Sequence, residues 1–282
     1  MKAFFTGAAP MQKSTLDYFL SLNWIVMNMY GMSETGGPTS GSSFLKSNLT
    51  SAGYALPGTS LVILGPNREV MPAGERGEIC FRGRNKFMGY YRNEEMTKET
   101  IDKDGWIHSG DEGYLEADGA LKITGRFKEL IITAGGENIP PILIENDIKE
   151  RCQLLSQMVL IGDNRKFLSA LVTIKNEMAA GALPTNKLTP DAERLIASIG
   201  SDATDVPSAA ACPKVHEYIN SCIEDYNKAA ASRAQSVRKF TIIPNDFSIQ
   251  GGEMTHTMKL RRRIIIDKYA KEIDAMYEEA KL

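Results

Sequence analysis

Thr124-Gly125-Arg126-Phe127-Lys128-Glu129-Leu130-Ile131-Ile132-Thr133-Ala134-Gly135-Gly136-Glu137-Asn138-Ile139-Pro140-Pro141 decides how the rest of the chain is read. Arg126 offers a planar fork of donors that suits phosphate or ribose oxygens. Residues 129–133 read as a short strand with an apolar interior. Gly135-Gly136 supplies a backbone that can turn sharply or come close to a ligand. Pro140-Pro141 stands where the first turn of a helix tolerates proline, which predicts a helix over residues 142–152. By itself the stretch is a strand, a glycine turn and a helix with ligand-binding chemistry at its start.

Working outward, residues 61–64 and 77–82 read as strands, separated by Gly65-Pro66-Asn67 and Pro72-Ala73-Gly74-Glu75. Residues 94–101 read as a short polar helix. Asp118-Gly119 joins two strand-like segments, 113–116 and 120–124, as a hairpin turn does. Upstream, Trp24-Ile25-Val26-Met27 reads as a buried strand. Downstream, strands are expected over 159–161 and 168–174. Between residues 176 and 213 the composition shifts to Ala, Ser, Thr, Gly, Pro and Asp. That segment reads as an insertion or mobile surface piece with one short helix near 191–199. Residues 215–231 form a helix with Val215, Tyr218, Ile219, Cys222, Ile223 and Tyr226 on one apolar stripe. A strand over 240–243 ends at Pro244, and residues 264–280 read as one final amphipathic helix. The fold class is α/β, with a domain boundary near residues 126–128.

The chain has 282 residues, 43% of them hydrophobic and 24% charged, which is ordinary for a globular protein. A formal charge of −2 gives no general attraction to nucleic acid or to an anionic membrane. Cys80, Cys152, Cys212 and Cys222 are scattered without a Cys-x-x-Cys pair, so reduced thiols in an intracellular compartment are expected. His108, His216 and His256 have no metal-binding spacing and read as structural or surface residues. No apolar run approaches the ~18 residues of a transmembrane helix, so any membrane association is expected to be peripheral.

Taken whole, residues 124–141 resemble the core motif of the adenylate-forming (AMP-binding) superfamily in its acyl-CoA synthetases. The wording Ile-Thr-Ala-Gly-Gly-Glu-Asn-Ile-Pro-Pro is most similar to the bubblegum-type long-chain acyl-CoA synthetases. Three more segments match in order. Tyr30-Gly31-Met32-Ser33-Glu34-Thr35 resembles the Tyr-Gly-x-Thr-Glu motif, and Gly105-Trp106-Ile107-His108-Ser109-Gly110-Asp111 resembles the Thr-Gly-Asp motif. Met258-Lys259-Leu260-Arg261-Arg262 resembles the motif that carries the catalytic lysine. Beyond these three, Gly7-Ala8-Ala9-Pro10 also resembles the turn that lies against adenine. The family's Ser/Thr/Gly-rich phosphate loop, which ends in Pro-Lys-Gly, is absent before Tyr30. The resemblance therefore implies the C-terminal portion of a longer synthetase. Residues 1–127 correspond to the end of the large AMP-binding domain, with a sheet remnant and a β-subdomain. Residues 128–282 correspond to a mobile, small α+β C-terminal domain with an insertion near 176–213.

The resemblance also assigns roles. The reaction joins two anions, a carboxylate and the α-phosphate of ATP, so the site must supply cations and oriented donors. Lys259 takes that catalytic role by resemblance, whereas charge alone reads Lys259 to Arg263 as the solvated start of the last helix. Glu34 is assigned to Mg²⁺, Ser33 stands for the family's threonine at the phosphates, and Tyr30 stacks on adenine. Gly31 allows approach of the acyl chain, and Gly7, Ala8, Met32 and Thr35 complete the nucleotide site. Without the family, these residues read as a turn and a helix cap. Asp111 is assigned to the ribose hydroxyls and Arg126 to the ribose or phosphates, against an ordinary turn aspartate and a surface ion pair. Lys128 matches the hinge, and Gly135, Gly136 and Glu137 the pantetheine channel. The implied activity is a long-chain fatty acid:CoA ligase using ATP, Mg²⁺ and coenzyme A, cytoplasmic or peripheral at the endoplasmic reticulum or another membrane. The rivals are a non-catalytic nucleotide-binding fragment and an adenylating enzyme with another acyl acceptor. On this reading the isolated chain is nearly inactive.

Overall fold

A computed structural model describes residues 4–8, 11, 13–42, 51–179 and 183–278, apart from the side chain of Lys128. Ala9 and Pro10 of the expected adenine turn lie outside the described residues. The chain divides into two compact units, Met1–Glu129 and Leu130–Leu282.

The first unit opens with β1 (Phe4–Gly7), α1 (Lys13–Ser21) and β2 (Val26–Met32). The two strands pair in parallel, which requires a crossover, and α1 supplies it. Trp24, expected inside a buried strand, precedes β2 and is 46% exposed. Its indole stacks on Phe4 at 4.9 Å, so the ring finds an aromatic partner without entering the ladder. β3 (Gly37–Gly41) and β4 (Tyr54–Ala55) extend this sheet in the order β1-β2-β3-β4.

The second sheet of this unit is an antiparallel meander of β5 (Thr59–Leu64), β6 (Gly77–Gly83), β7 (Ile107–Leu115) and β8 (Leu121–Arg126). α2 (Glu94–Thr100) lies between β6 and β7 and is capped by Asn93, whose side chain accepts from the Met96 amide. Ile63, Ile79, Phe81 and Leu121 alternate inward to form the core, with Tyr30 of the first sheet packed against it. The Asp118-Gly119 turn connects β7 and β8, and the Asp118 carboxylate accepts from the Ala120 amide at 3.0 Å.

The second unit begins with a short hairpin, β9 (Ile131–Ile132) and β10 (Asn138–Ile139), and α3 (Pro141–Arg151) with proline in its first turn. The expected strand over 129–133 is thus only two residues long, bounded by a 3-10 turn over residues 127–129 before it and by the turn that the Gly136 amide closes on the Thr133 carbonyl after it. β11 (Leu155–Ile161) and β12 (Leu168–Ile174) pair antiparallel. β12 is buried throughout, and successive side chains serve different cores. Leu168, Ala170, Val172 and Ile174 face one cluster, while Leu171 joins another with Val159, Ile161 and Ile243.

Residues 176–213 differ from the expectation of a mobile surface piece. β13 (Asn176–Ala179) and β14 (Leu183–Leu188) form a hairpin, followed by α4 (Pro190–Ser198) and α5 (Val206–Ala211). Leu188, Ala192, Ile196, Val206 and Ala209 are all part of the larger core. Small residues allow these short helices to sit close to their neighbours, so a composition that resembles loop is here a packing surface. α6 (Pro213–Ala229) buries Val215, Ile219, Cys222, Ile223 and Tyr226, and Tyr218 is partly buried beside them. β15 (Val237–Ile242) then pairs in parallel with β12, giving the order β11-β12-β15. The last helix is two, α7 (Arg262–Lys268) and α8 (Ala270–Glu278), interrupted at Tyr269. The break lets Ile265 from α7 and Ile273 and Met276 from α8 reach one cluster. Among the described residues, no helix is long and apolar enough to cross a membrane.

Ile196 is 1% exposed within the 176–213 segment. Ile196→Ala is expected to lower unfolding free energy by roughly 2–5 kcal/mol. A urea titration showing a change within about 0.5 kcal/mol, the size of an ordinary surface substitution, contradicts a structural role for the segment.

Candidate functional site

Three of the residues singled out in the sequence converge in the first unit. Asp111 on β7 faces Arg126 on β8 in direct cross-strand register. The Arg126 Nε donates to Asp111 Oδ1 at 2.6 Å, and the Tyr30 hydroxyl, from the other sheet, donates to Oδ2. Asp111 is buried at 8% exposure, so its charge needs these partners. Burial and then the neighbouring Asp111 charge push the Tyr30 phenol up, which keeps it protonated and donating. The hydrogen bond to Asp111 pushes Arg126 up as well, against burial. Ser109 is turned inward, donating to the Ile79 carbonyl at 2.6 Å and accepting from the Asp111 amide. That local bond fixes the backbone immediately before the carboxylate.

Tyr30, Gly31 and Met32 end β2, and Ser33, Glu34 and Thr35 form a 3-10 turn. A Cβ at Gly31 would lie 2.2 Å from the Gly37 carbonyl oxygen. Close β2–β3 approach therefore explains this glycine without reference to an acyl chain. Thr35 is buried, and its hydroxyl lies 2.8 Å from the Met32 and Gly37 carbonyls. It builds the turn, leaving Ser33 as the exposed hydroxyl there. Glu34 accepts from the Tyr90 hydroxyl through Oε1 at 2.5 Å, and its carbonyl accepts from the Phe87 amide at 2.7 Å. Tyr90 was not singled out in the sequence, because nothing about Gly89-Tyr90-Tyr91 marks its partner. Gly7 ends β1 opposite Met29, and Ala8 follows with φ +67. Lys128 belongs to the 3-10 turn Phe127–Glu129, and its side chain lies outside the described residues.

In the second unit, Gly135 and Gly136 form the turn of the β9–β10 hairpin. Gly136 has φ +79, a conformation costly for other residues. Glu137 is exposed beside that turn and accepts from the Ser232 hydroxyl at 3.2 Å.

Lys259 is exposed on a tight turn ahead of α7, not on a helix. The Thr255 amide donates to the Lys259 carbonyl at 2.8 Å, the Met258 amide to the Thr255 carbonyl at 2.9 Å, and Met258 has φ +61. Both ends of the turn are anchored by buried carboxylates absent from the sequence reading. The Glu253 carbonyl accepts from the Arg261 amide at 2.7 Å, and its carboxylate takes Lys268, Tyr269 and the Ser248 amide. Glu145 is paired with Arg262 and also accepts from the Leu160 amide at 2.6 Å. Burial alone would raise Glu253, but Lys268 and the backbone donors outweigh it and hold the carboxyl below its ordinary value.

The profile of AMP-binding enzymes matches residues 1–91, and that of the AMP-binding enzyme C-terminal domain matches residues 128–210. The chain belongs to the AMP-binding enzyme family. It is 45% identical over 98% of its length to a chicken (Gallus gallus) protein named Long-chain-fatty-acid--CoA ligase ACSBG2, and covers 36% of that relative. It is 44% identical over 99% of its length to human (Homo sapiens) Long-chain-fatty-acid--CoA ligase ACSBG1, covering 38% of it. The chain thus spans little more than a third of the curated relatives it matches. Among solved structures, ATP-bound MatB from Rhodopseudomonas palustris aligns with TM-score 0.69 at 22% identity, over 95% of this chain and 46% of that one. The anthranilate CoA ligase AuaEII in complex with anthranoyl-AMP aligns with TM-score 0.68 at 16% identity, over 96% of this chain and 45% of that one. At those identities the likeness establishes the fold, and the mixed α/β architecture is that of adenylate-forming enzymes.

Because the folded-state pKa of Glu253 is depressed, its contribution is present above the ordinary value of 4.5 and is lost as pH falls through the folded value. Glu253→Gln is expected to cost roughly 1–3 kcal/mol at neutral pH and to flatten the acid limb of the stability profile. Denaturant titrations from pH 7 downward measure both. An acid limb unchanged in the variant removes Glu253 from the account.

Proposed function

We propose that this chain carries the nucleotide-recognition and C-terminal catalytic elements of a long-chain fatty acid:CoA ligase. The observation that carries the reading is the convergence of Tyr30, Asp111 and Arg126 from three separate motifs onto one buried carboxylate. A carboxylate held in this way is oriented before a ligand arrives, as recognition of a vicinal diol requires. The long-chain substrate is taken from the names of relatives 44–45% identical along almost the whole chain.

In the reaction, a fatty-acid carboxylate oxygen attacks the α-phosphorus of ATP and pyrophosphate leaves, giving an acyl-adenylate. The thiol of coenzyme A then attacks the acyl carbonyl, losing its proton, and AMP departs. Asp111 accepts from the ribose hydroxyls, with Arg126 beside it for ribose or phosphate oxygens. Tyr30 presents its ring to adenine while its hydroxyl stays on Asp111. Gly7, Ala8, Met32 and Thr35 shape the nucleotide site, and Ser33 donates to phosphate. Glu34 has one carboxylate oxygen on Tyr90 and offers the other as a hard ligand suited to Mg²⁺. Bound there, Mg²⁺ neutralises phosphate charge. Lys259 supplies the cation that offsets repulsion between carboxylate and α-phosphate. Its exposed position on an anchored turn fits a group that engages a bound ligand. Lys128 serves as the hinge between the half-reactions, and Gly135, Gly136 and Glu137 line the thiol's approach. Cytoplasmic activity with peripheral membrane contact suits a poorly soluble acyl substrate.

Fatty-acid-dependent ATP–pyrophosphate exchange tests this reading, with the chain joined to an upstream segment that supplies the phosphate loop, since the isolated chain is expected to be nearly inactive. Lys259→Ala is expected to lower exchange about 10²–10³-fold. Asp111→Asn is expected to weaken ATP binding by roughly tenfold or more, as loss of a charged hydrogen-bond acceptor implies. A folded chain that binds ATP without exchange supports the nucleotide-binding alternative, and exchange indifferent to Lys259→Ala removes the lysine from the mechanism.

A further inference from the structure

Glu78 and Cys80 stand two residues apart on β6 and therefore project from the same face. His108 on β7 pairs directly with Cys80 across the ladder. Three different metal-binding chemistries thus meet at one place, though the histidine is far from the other two in sequence. The His108 Nδ1 lies 3.5 Å from Cys80 Sγ and 2.7 Å from Glu78 Oε2, and the ligand atoms all lie within 4.8 Å of one another. Cys80 is fully buried, whereas Glu78 and His108 are partly accessible.

Zinc bonds of about 2.0–2.3 Å imply ligand-to-ligand edges of roughly 3.3–3.8 Å in a tetrahedral site. The sulfur–nitrogen edge already has that length. The carboxylate oxygen has to withdraw from the imidazole by about half an ångström or more to reach the same spacing. The accessible Glu78 side chain permits this, and its other oxygen is held by the Gly110 amide at 2.9 Å. A thiolate, an imidazole and a carboxylate suit a borderline-soft ion such as zinc, not the all-oxygen preference of Mg²⁺ or Ca²⁺.

The far side of the imidazole strengthens the case. Asp102 faces His108 Nε2 at 3.4 Å, and its own carboxylate is fixed by the Trp106 amide at 2.9 Å and the Asp104 amide at 3.0 Å. A carboxylate on the remote nitrogen selects the tautomer whose Nδ1 is free to ligate, the usual outer partner of a metal-bound histidine.

We propose that Glu78, Cys80 and His108 form a binding site for a zinc-class divalent cation, with Asp102 orienting the imidazole and water completing the coordination. On binding, the Cys80 thiol gives its proton to solvent and His108 ligates through an unprotonated Nδ1. No electron transfer is involved. Glu78 holds the amide of Gly110, next to Asp111, so the ion would clamp the strand that presents that carboxylate.

The test is titration of the metal-stripped chain with Co²⁺, followed by Zn²⁺ competition against a chromophoric chelator. One equivalent of Co²⁺ with a thiolate-to-metal charge-transfer band, displaced by Zn²⁺, is expected. Cys80→Ser should abolish the band. His108→Gln should weaken zinc binding at least a hundredfold, and Asp102→Asn about 10- to 100-fold. Far-UV circular dichroism confirms folding of each variant, and His108→Gln provides an independent reading should Cys80→Ser fail to fold. Absence of the band in the unaltered chain overturns the proposal, leaving only an ion pair beside a core thiol. A band that persists in folded Cys80→Ser also overturns it, since one of Cys152, Cys212 or Cys222 would then be the ligand.

Discussion

The carboxylate of Asp111 is the constraint on which the first unit depends. A buried charge is costly to leave unpaired, and its two oxygens are met from different directions. Arg126 reaches one across the β7–β8 ladder, and Tyr30 reaches the other from the neighbouring sheet. The same carboxylate therefore ties two sheets together. Any slip of β7 against β8 would take Arg126 out of register and send alternate side chains to the wrong face. The inward Ser109 bond to the Ile79 carbonyl opposes such a slip locally.

The second unit solves a related problem with β12, which is covered on both faces. Polar groups on so buried a strand must be satisfied inside the protein. Ser169 is met by the Tyr277 hydroxyl at 2.9 Å, and Thr173 by Asp246 at 2.6 Å. The Glu145–Arg262 pair is likewise buried, with side-chain exposures of 5% and 15%. Such pairs contribute little net stability against an apolar replacement, yet removing one partner leaves the other stranded. Their geometric effect is to hold α7 against α3 and so define where the Lys259 turn begins and ends.

Much of the architecture was legible because the signals were local. The turn-bounded apolar runs of β5 and β6, the Asp118-Gly119 turn, and the proline start of α3 each announce their element within a few residues. The 176–213 segment was misread because Ala and Ser carry little hydrophobic signal, though Ala192 and Ala209 are buried. The break at Tyr269 was invisible because the amphipathic pattern continues across it. Tyr30, Asp111 and Arg126 could each be named from a separate motif, but their meeting could not be read, because Tyr30 lies 81 residues from Asp111. Glu78, Cys80 and His108 were unreadable for the same reason: cross-strand register, not spacing along the chain, brings them together.

The strand order β11-β12-β15 bears on how the second unit is assembled. β12 receives its antiparallel neighbour after a short turn, so that hairpin closes from nearby contacts. Its other edge is filled only by β15, after the chain has passed through β13, β14 and three helices. Closing so long a loop is entropically costly and slow compared with local pairing. Until it closes, an apolar strand displays an open row of amides and carbonyls, a template for pairing with another molecule. During synthesis and refolding, the side of β12 that awaits β15 is thus the surface most in need of protection.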